Sequence, residues 1–413
     1  MKRYGNNDLW KTGLLFVPER TKAYSMTCVG LTGICCRYWF AFVTMKKGGI
    51  MDILHFFDRN RIICQAQKAL AVKPRYITDF SAKMSEGGIH DYYSNGDYWW
   101  PNPNTANGLP YVRLDGKSNP NAFMHHRNIL REMRTSVSHL AAGYKITKDE
   151  KYASRASIIL NNFFLAKESK MNPSLLYAQA VPGLYSGRGI GIIDTLHLAE
   201  VPFAVNALKS SLHMTDELLM GLKKWFSDYL NWMTAHSYGI SEMNEKNNHG
   251  ICWHVQAASF ALFVGNEQMV DFCRKQYKNV LLGQMAADGS FTKELARTKP
   301  YGYSIFTLDN LLILCHILFK KENDLWNYEL NGKGARRGME FLYPYLIDKT
   351  TWPYKKDIQH FECWPVAMAS FLFAGLGLGE QKYVKLWQSL DPEPTNWEVR
   401  RNMTVRQPLL WLG

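Results

Sequence analysis

Apolar positions recur every three to four residues over 122–143, 150–166, 191–209, 215–235, 250–264, 268–283, 304–320, 335–346, 364–376 and 380–389. That spacing gathers them on one face of an α-helix. The turns between these segments are short, and three share a layout: Gly143 to Asp149, Gly265 to Glu267 and Gly377 to Glu380. In each, an apolar helix runs out near Gly, Lys or Thr, and an acidic residue opens the next helix. Glycine tolerates the left-handed exit, and the acid complements the new helix dipole. Repeated helical hairpins predict an all-α fold, an incomplete (α/α) toroid. A generic α-solenoid competes, but long aromatic loops need a cleft to line, which favours the ring.

Two stretches escape this periodicity. Asp91 to Asn121 carries Tyr98, Trp99, Trp100, Asn102, Asn104 and Arg113 among several prolines. Aromatic faces stack on sugar C–H faces, and amides bond hydroxyls as donors and acceptors. A loop of this length is functional or disordered, and its aromatic density opposes disorder. The competing reading makes Trp99 and Trp100 plugs of the ring. The second stretch runs from Met171 to Ala180 and on to Gly187-Arg188-Gly189. It offers Tyr177, Gln179 and Arg188 to the same groove, each equally able to serve structure.

Charge narrows the partner. The formal net charge of the 413 residues is +13, and the first fifty hold eight Lys/Arg against two Asp/Glu. The rest keeps a moderate positive excess, suited to a polyanion. No lysine-rich run, zinc-finger spacing or RNA-binding signature points to nucleic acid. Residues 1–50 form an N-terminal extension, with 51–413 as one toroid domain, since no linker or charge block divides the chain later. From Ala23 to Cys36 the extension is uncharged, but Arg37 interrupts the apolar run. It falls short of the roughly 18 residues of a membrane span and makes a poor signal peptide. It reads as a degenerate export signal or a disordered piece, with a periplasmic or secreted location expected. Cys252, Cys273, Cys315 and Cys363 lie singly on apolar faces, as small buried hydrophobes.

The chemistry-bearing segments are Asn247-Asn248-His249-Gly250, Asp288-Gly289-Ser290-Phe291, and Glu294-Leu295-Ala296-Arg297 with Lys299, Tyr301 and Tyr303. An amide, an imidazole, a guanidinium and a phenol can together remove the proton alpha to a sugar carboxylate. Asn248 and His249 would bond the carboxylate, Arg297 would offset its charge, and a nearby tyrosine would move protons. Cations beside that phenol are expected to lower its pKa. Trp253, one turn beyond His249, is a further candidate for substrate contact. Taken singly, His249 can be a core or capping histidine, and Arg297 a surface ion pair with Glu294.

As a set, the segment Asn172-Pro173 with Tyr177-Ala178-Gln179, the Asn248-His249 pair, and Asp288-Gly289-Ser290-Phe291 leading to Arg297 resemble the alginate lyase superfamily, polysaccharide lyase family 5. The tryptophan-rich loop and Arg297-Thr298-Lys299-Pro300-Tyr301-Gly302-Tyr303 look closer still to family 38. The resemblance spans roughly 52–390 and implies an (α/α) toroid, β-elimination on a 4-linked polyuronate and no obligatory metal or other cofactor. In the family pattern the tyrosine follows the arginine by about seven positions; here Tyr303 follows Arg297 by six, so Tyr301 and Tyr303 compete, with Tyr303 preferred.

Alginate, mannuronate-rich, is the expected substrate, with β-1,4-glucuronan second. A toroid glycoside hydrolase would need a carboxylate pair across the cleft, and none stands out. A non-catalytic polysaccharide-binding protein would keep the aromatics without the Asn/His/Arg/Tyr set.

Overall fold

The structure, a computed structural model, describes residues 53–412. The extension 1–50, and the export reading attached to it, lie outside the described residues. The chain enters through α1 (Arg59–Ala71), α2 (His125–Thr147) and α3 (Glu150–Phe164). It continues through α4 (Val201–Leu208), α5 (Asp216–Ala235), α6 (Ser237–Met243), α7 (Asn248–Val264) and α8 (Glu267–Asn279). The last group is α9 (Thr292–Leu295), α10 (Pro300–Leu318), α11 (Ala335–Ile347), α12 (Ala369–Gly377), α13 (Gln381–Ser389) and α14 (Trp397–Arg401).

These helices form two layers. α2, α4, α7, α10 and α12 are successive neighbours, backed by α1 and α3 on α2, α5 and α8 on α7, α11 on α10 and α13 on α12. The segment Pro408–Trp411 returns to α2 and α4. This is the toroid of hairpins that the periodicity predicts. Composition explains which helix takes which layer. Every residue of α10 except Tyr303 is buried, so apolar side chains cover it all round. By contrast α8 buries one stripe, Val270, Cys273, Arg274 and Tyr277, as an outer helix should. The junctions behave as the sequence predicts. Lys148 and Gly265 take left-handed φ of 59° and 81°. Asp149 and Asn266 then accept from Lys151 N and Met269 N to cap the next helices.

Three expectations are revised. The 191–209 segment is not one α-helix: Gly189–Glu200 is a 3-10 helix, and α4 starts only at Val201. A Cβ at Gly189 or Gly191 would collide with the backbone of Tyr238 or Ala178, so the chain is drawn in close there. The 364–376 segment becomes helical only at Ala369, because Trp364 is extended before Pro365. Finally, α1 is a helix that the periodicity does not reveal, since its buried face offers only Ile62, Ala66 and Ala69 as apolar anchors.

The two loops are ordered by short strands. β1 (Tyr93–Asn95) pairs in parallel with β4 (Tyr177–Ala180), while β2 (Trp99–Trp100) and β3 (Val112–Arg113) pair antiparallel. The first pairing ties the aromatic loop to the second loop beside the 3-10 run.

Candidate active site

The motif at the start of α7 folds residue by residue. Asn247 is the N-cap, its Oδ1 accepting from His249 N at 2.8 Å. Asn248 donates through both its backbone N and Nδ2 to Glu294 Oε1, each at 2.9 Å. His249 Nδ1 lies 2.6 Å from Glu242 Oε1. A Cβ at Gly250 would overlap the Glu245 carbonyl oxygen, so only glycine fits. Glu242 is buried, and burial raises its pKa against the pull of His249. Burial also resists charge on His249, but Glu242 outweighs it and raises the imidazole pKa above its ordinary value. With Nδ1 donating to the carboxylate, Nε2 is the atom left for chemistry.

Tyr303 sits in the first turn of α10. Its hydroxyl lies 2.9 Å from the Tyr98 hydroxyl and accepts from Arg297 Nη2 at 3.0 Å. The Arg297 guanidinium also covers the ring, 4.3 Å from its centroid. Arg297 pairs with Asp115 at 3.0 Å rather than with Glu294, and Arg113 reaches the same carboxylate at 2.8 Å. Burial raises the Tyr303 pKa well above that of a free phenol, with Tyr98 adding to it and Arg297 and Arg401 opposing. The expected lowering by cations is therefore overturned: desolvation is the larger effect, and the phenol is held protonated.

Beneath them lies a cavity of about 320 Å³, lined among others by Tyr98, Trp99, Arg113, Gln179, Arg188, Asn248, His249, Arg297 and Tyr303. Gln179 and Arg188 are joined, Arg188 Nε donating to the Gln179 carbonyl at 2.8 Å. Arg188 also lies over the Trp99 ring, 5.5 Å from its centroid.

Seven sequence candidates do not line this cavity. Trp253 and Tyr301 are fully buried, and the Tyr301 hydroxyl donates to the Tyr345 carbonyl at 2.8 Å. The two tyrosines thus part in space, Tyr303 lining the cavity and Tyr301 buried in the core. The Trp100 indole donates to the Lys117 carbonyl at 2.9 Å. Asn102 Oδ1 accepts from Asn104 N, so this pair shapes a turn. Tyr177 is taken up in the β1–β4 pairing. Lys299 is buried against Glu398 at 3.2 Å and lines a smaller hollow of about 40 Å³ that shares Tyr98 and Tyr303 with the cavity.

The cavity also holds residues that the sequence does not single out. Arg127, Arg131 and Arg401 bring its arginines to six, facing the carboxylates of Asp97, Asp194 and Glu245. Arg127, Arg131 and Arg134 fall at i, i+4 and i+7 of α2; charge at core-facing helical positions was the signal available. Asp194 gathers Ser94, Tyr92 and Arg127 on Oδ2, at 2.6, 3.2 and 3.0 Å. Burial resists charge on Asp97, yet Arg401 and Arg127 prevail and hold its pKa at about 2. Asp97 is thus locked as an anion, and Asp194 Oδ2 is taken up by its hydrogen bonds to Ser94, Tyr92 and Arg127. The free chemistry belongs to a phenol, an imidazole and a field of guanidinium groups, arranged to bind a carboxylated sugar and move protons on it.

Comparison with known proteins agrees. Residues 77–352 match the family model described as alginate lyase. A crystal structure of an alginate lyase from Bacteroides ovatus is 32% identical, with a TM-score of 0.74, covering 85% of this chain and 92% of that one. A variant of alginate lyase A1-III complexed with tetrasaccharide shares the fold, at 15% identity and a TM-score of 0.51, over 77% of this chain and 85% of that one. No curated protein matches the chain. By fold and family match this is a polysaccharide lyase. The chain belongs to the alginate lyase family.

Proposed function

We propose that this lyase cleaves a 4-linked polyuronate, mannuronate-rich alginate foremost, by β-elimination that leaves a C4–C5 unsaturated end. The observation that carries the reading is Tyr303, fixed between Tyr98 and Arg297 on the cavity that His249 also enters. The name of the Bacteroides ovatus relative supports the substrate. The ionised Asp97 and the hydrogen bonds that take up Asp194 argue against a hydrolase's carboxylate pair.

In the reaction a base takes the C5 proton, C4=C5 forms and the C4–O4 bond breaks, with O4 gaining a proton. The uronate carboxylate lies against Arg297 and the Asn248–His249 pair, which spread the charge built up as C5–H is lost. Tyr303, held neutral by burial, gives its proton to O4. Where C5–H and O4 lie on the same side of the ring, the Tyr303 oxygen serves both transfers: its own proton passes to O4 as the oxygen takes the C5 proton, with Arg297 easing the phenolate character in between. Where they lie on opposite sides, His249 Nε2 is the base, backed by Glu242.

Ultraviolet absorbance of unsaturated product, followed on polymannuronate, polyguluronate, β-1,4-glucuronan and a neutral glucan, tests the proposal. Polymannuronate should give the fastest signal and the glucan none; glucuronan as the sole substrate would replace alginate, and silence on all uronans would end the lyase chemistry described. Activity is expected to survive exhaustive chelation, because arginine and amide groups rather than a metal offset the carboxylate. Loss reversed by one added cation would overturn that point.

A further inference from the structure

Tyr303 takes its place from the first turn of α10, and that turn is held from outside the helix. Lys299 is the N-cap, yet its side chain is turned to Glu398 at 3.2 Å and caps nothing. Pro300 follows, with no N–H to donate. The next two backbone groups, Tyr301 N and Gly302 N, precede the first intrahelical bond and so need a partner from elsewhere. One distant carboxylate takes both. Asp357 accepts from Tyr301 N with Oδ1 at 2.8 Å and from Gly302 N with Oδ2 at 2.9 Å. The helical ladder then begins at Tyr303 itself, whose N donates to the Lys299 carbonyl at 3.0 Å.

The fit is close on both sides. Asp357 is 8% exposed. A Cβ at Gly302 would stand 2.9 Å from its Oδ2 and 3.1 Å from the Trp364 indole nitrogen, so the glycine gives the carboxylate its approach. The neighbouring Ile358 N donates to the Thr298 carbonyl at 3.1 Å. Asp115, from the aromatic loop, holds the other flank of the same turn, accepting from Thr298 Oγ1 at 3.1 Å and Arg297 Nη2 at 3.0 Å. Two aspartates far apart in sequence thus clasp the segment 297–303, Asp115 at the arginine end and Asp357 at the tyrosine end. Asp357 lines the smaller hollow and not the main cavity. Its influence on turnover therefore passes through the turn it holds. The phenol oxygen lies at the far end of a long side chain, so a small rotation of that turn is magnified there.

We propose that Asp357 is a positioning residue of the lyase reaction, fixing the first turn of α10 so that the Tyr303 hydroxyl meets O4 with Tyr98 and Arg297 in place. The inference rests on Tyr303 as the proton donor and adds the group that aims it. Asp357 touches neither the sugar nor the reacting atoms.

The test is a double-mutant cycle on kcat, read as unsaturated product formed by the full chain from its preferred polyuronate. Asp357→Ala should lower kcat roughly 10- to 100-fold, the scale on which misplacing a reacting group by about 1 Å acts. KM should stay within about twofold, because Arg297 keeps Asp115. Asp357→Asn retains one acceptor oxygen and should fall between the parent and Asp357→Ala. In the Tyr303→Phe background the same substitutions should change the residual kcat by less than about twofold, since the hydroxyl they aim is gone. A general loss of folded enzyme would act alike in both backgrounds, so equal factors in the two overturn the proposal. Gly302→Ala reaches the same bonds from the other side. Alanine is the better helix former but crowds the carboxylate, so kcat should fall in protein that circular dichroism shows to be fully folded. Should Asp357→Ala not fold, the Asp357→Asn and Gly302→Ala cycles carry the same decision. Parent-like kcat in the folded variants overturns the positioning role and leaves Tyr303 as donor. If Tyr303→Phe itself keeps kcat near that of the parent, the donor assignment fails and takes the proposal with it.

Discussion

The cavity has two unlike walls. One is built from helix starts: Asn248 and His249 open α7, and Tyr303 lies in the first turn of α10. The Asn248 and His249 side chains are braced by carboxylates that are themselves almost fully buried, Glu294 and Glu242, while Tyr303 is held by Tyr98 and Arg297. The other wall is the Asp91–Asn121 loop, with Tyr98, Trp99 and Arg113, held by two short strands and by pairs such as Arg113–Asp115, whose side chains are 56% and 28% exposed. Buried anchors fix an atom's position closely, whereas exposed pairs are screened and worth little. The helix wall is therefore suited to moving protons and the loop wall to gripping a chain. Substitutions on the first should act on kcat, and those on the second on KM.

The strongest break is Tyr303→Phe, which keeps the ring and deletes the proton donor. A fall of roughly 10²–10⁴ in kcat with an unchanged melting temperature is expected; kcat within twofold of the parent enzyme would remove the phenol from the mechanism. Next comes Glu242→Gln, which should cost about 10- to 100-fold in kcat, the usual size of losing an orienting partner. It also sharpens the role of His249. Glu242 raises that imidazole's pKa, so the substitution moves it down. If His249 is the base, activity rises as pH climbs through this pKa, and the variant's rise shifts to lower pH. If a charged His249 instead holds the carboxylate, activity falls over the same interval, and the fall shifts to lower pH. A pH–rate profile of both proteins separates the two; identical profiles would mean that the dyad plays neither part.

On the loop wall, Trp99→Ala should raise KM about fivefold, from roughly 1 kcal/mol of lost stacking, and leave kcat nearly unchanged. Trp100→Ala should do less, because that indole is engaged with Lys117 outside the cavity. The reverse order in KM would show the loop swung over from the position described. The smallest effect on activity belongs to Tyr301→Phe. It leaves the part-buried Tyr345 carbonyl without its donor, so about 1 kcal/mol of stability should go, visible in denaturant melts, while turnover stays near that of the parent enzyme.

What can be read from sequence follows the physical range of each signal. Helix periodicity is local, so the hairpins of α2–α3, α7–α8 and α12–α13 are legible, down to the left-handed exits. The Asn248–His249–Arg297–Tyr303 set is legible because one reaction needs those groups together. What escapes depends on distance along the chain. Nothing near Arg297 shows that Asp115 will hold it, and nothing near His249 distinguishes Glu242 from other acidic residues. Trp253 misleads because an aromatic residue one turn from His249 suits a core as well as a cleft, and only the second layer of helices settles the matter. The 3-10 course of Gly189–Glu200 is hidden for a related reason: its apolar content fits either helix, and close backbone contacts at Gly189 and Gly191 accompany the tighter one.

One bond sets a timetable. Asp97, at the base of the aromatic loop, is gripped by Arg401 at 2.6 Å, across 304 positions of sequence. Contacts between such distant residues close large loops, and loops of that size form late. During synthesis the early hairpins can pack as they emerge, but the cavity lacks one of its cationic supports, and Asp97 one of its two arginine partners, until α14 has been made. A ribosome-bound chain halted before residue 397 should therefore hold most of its helices and no finished site, so that competence arrives in a single late step.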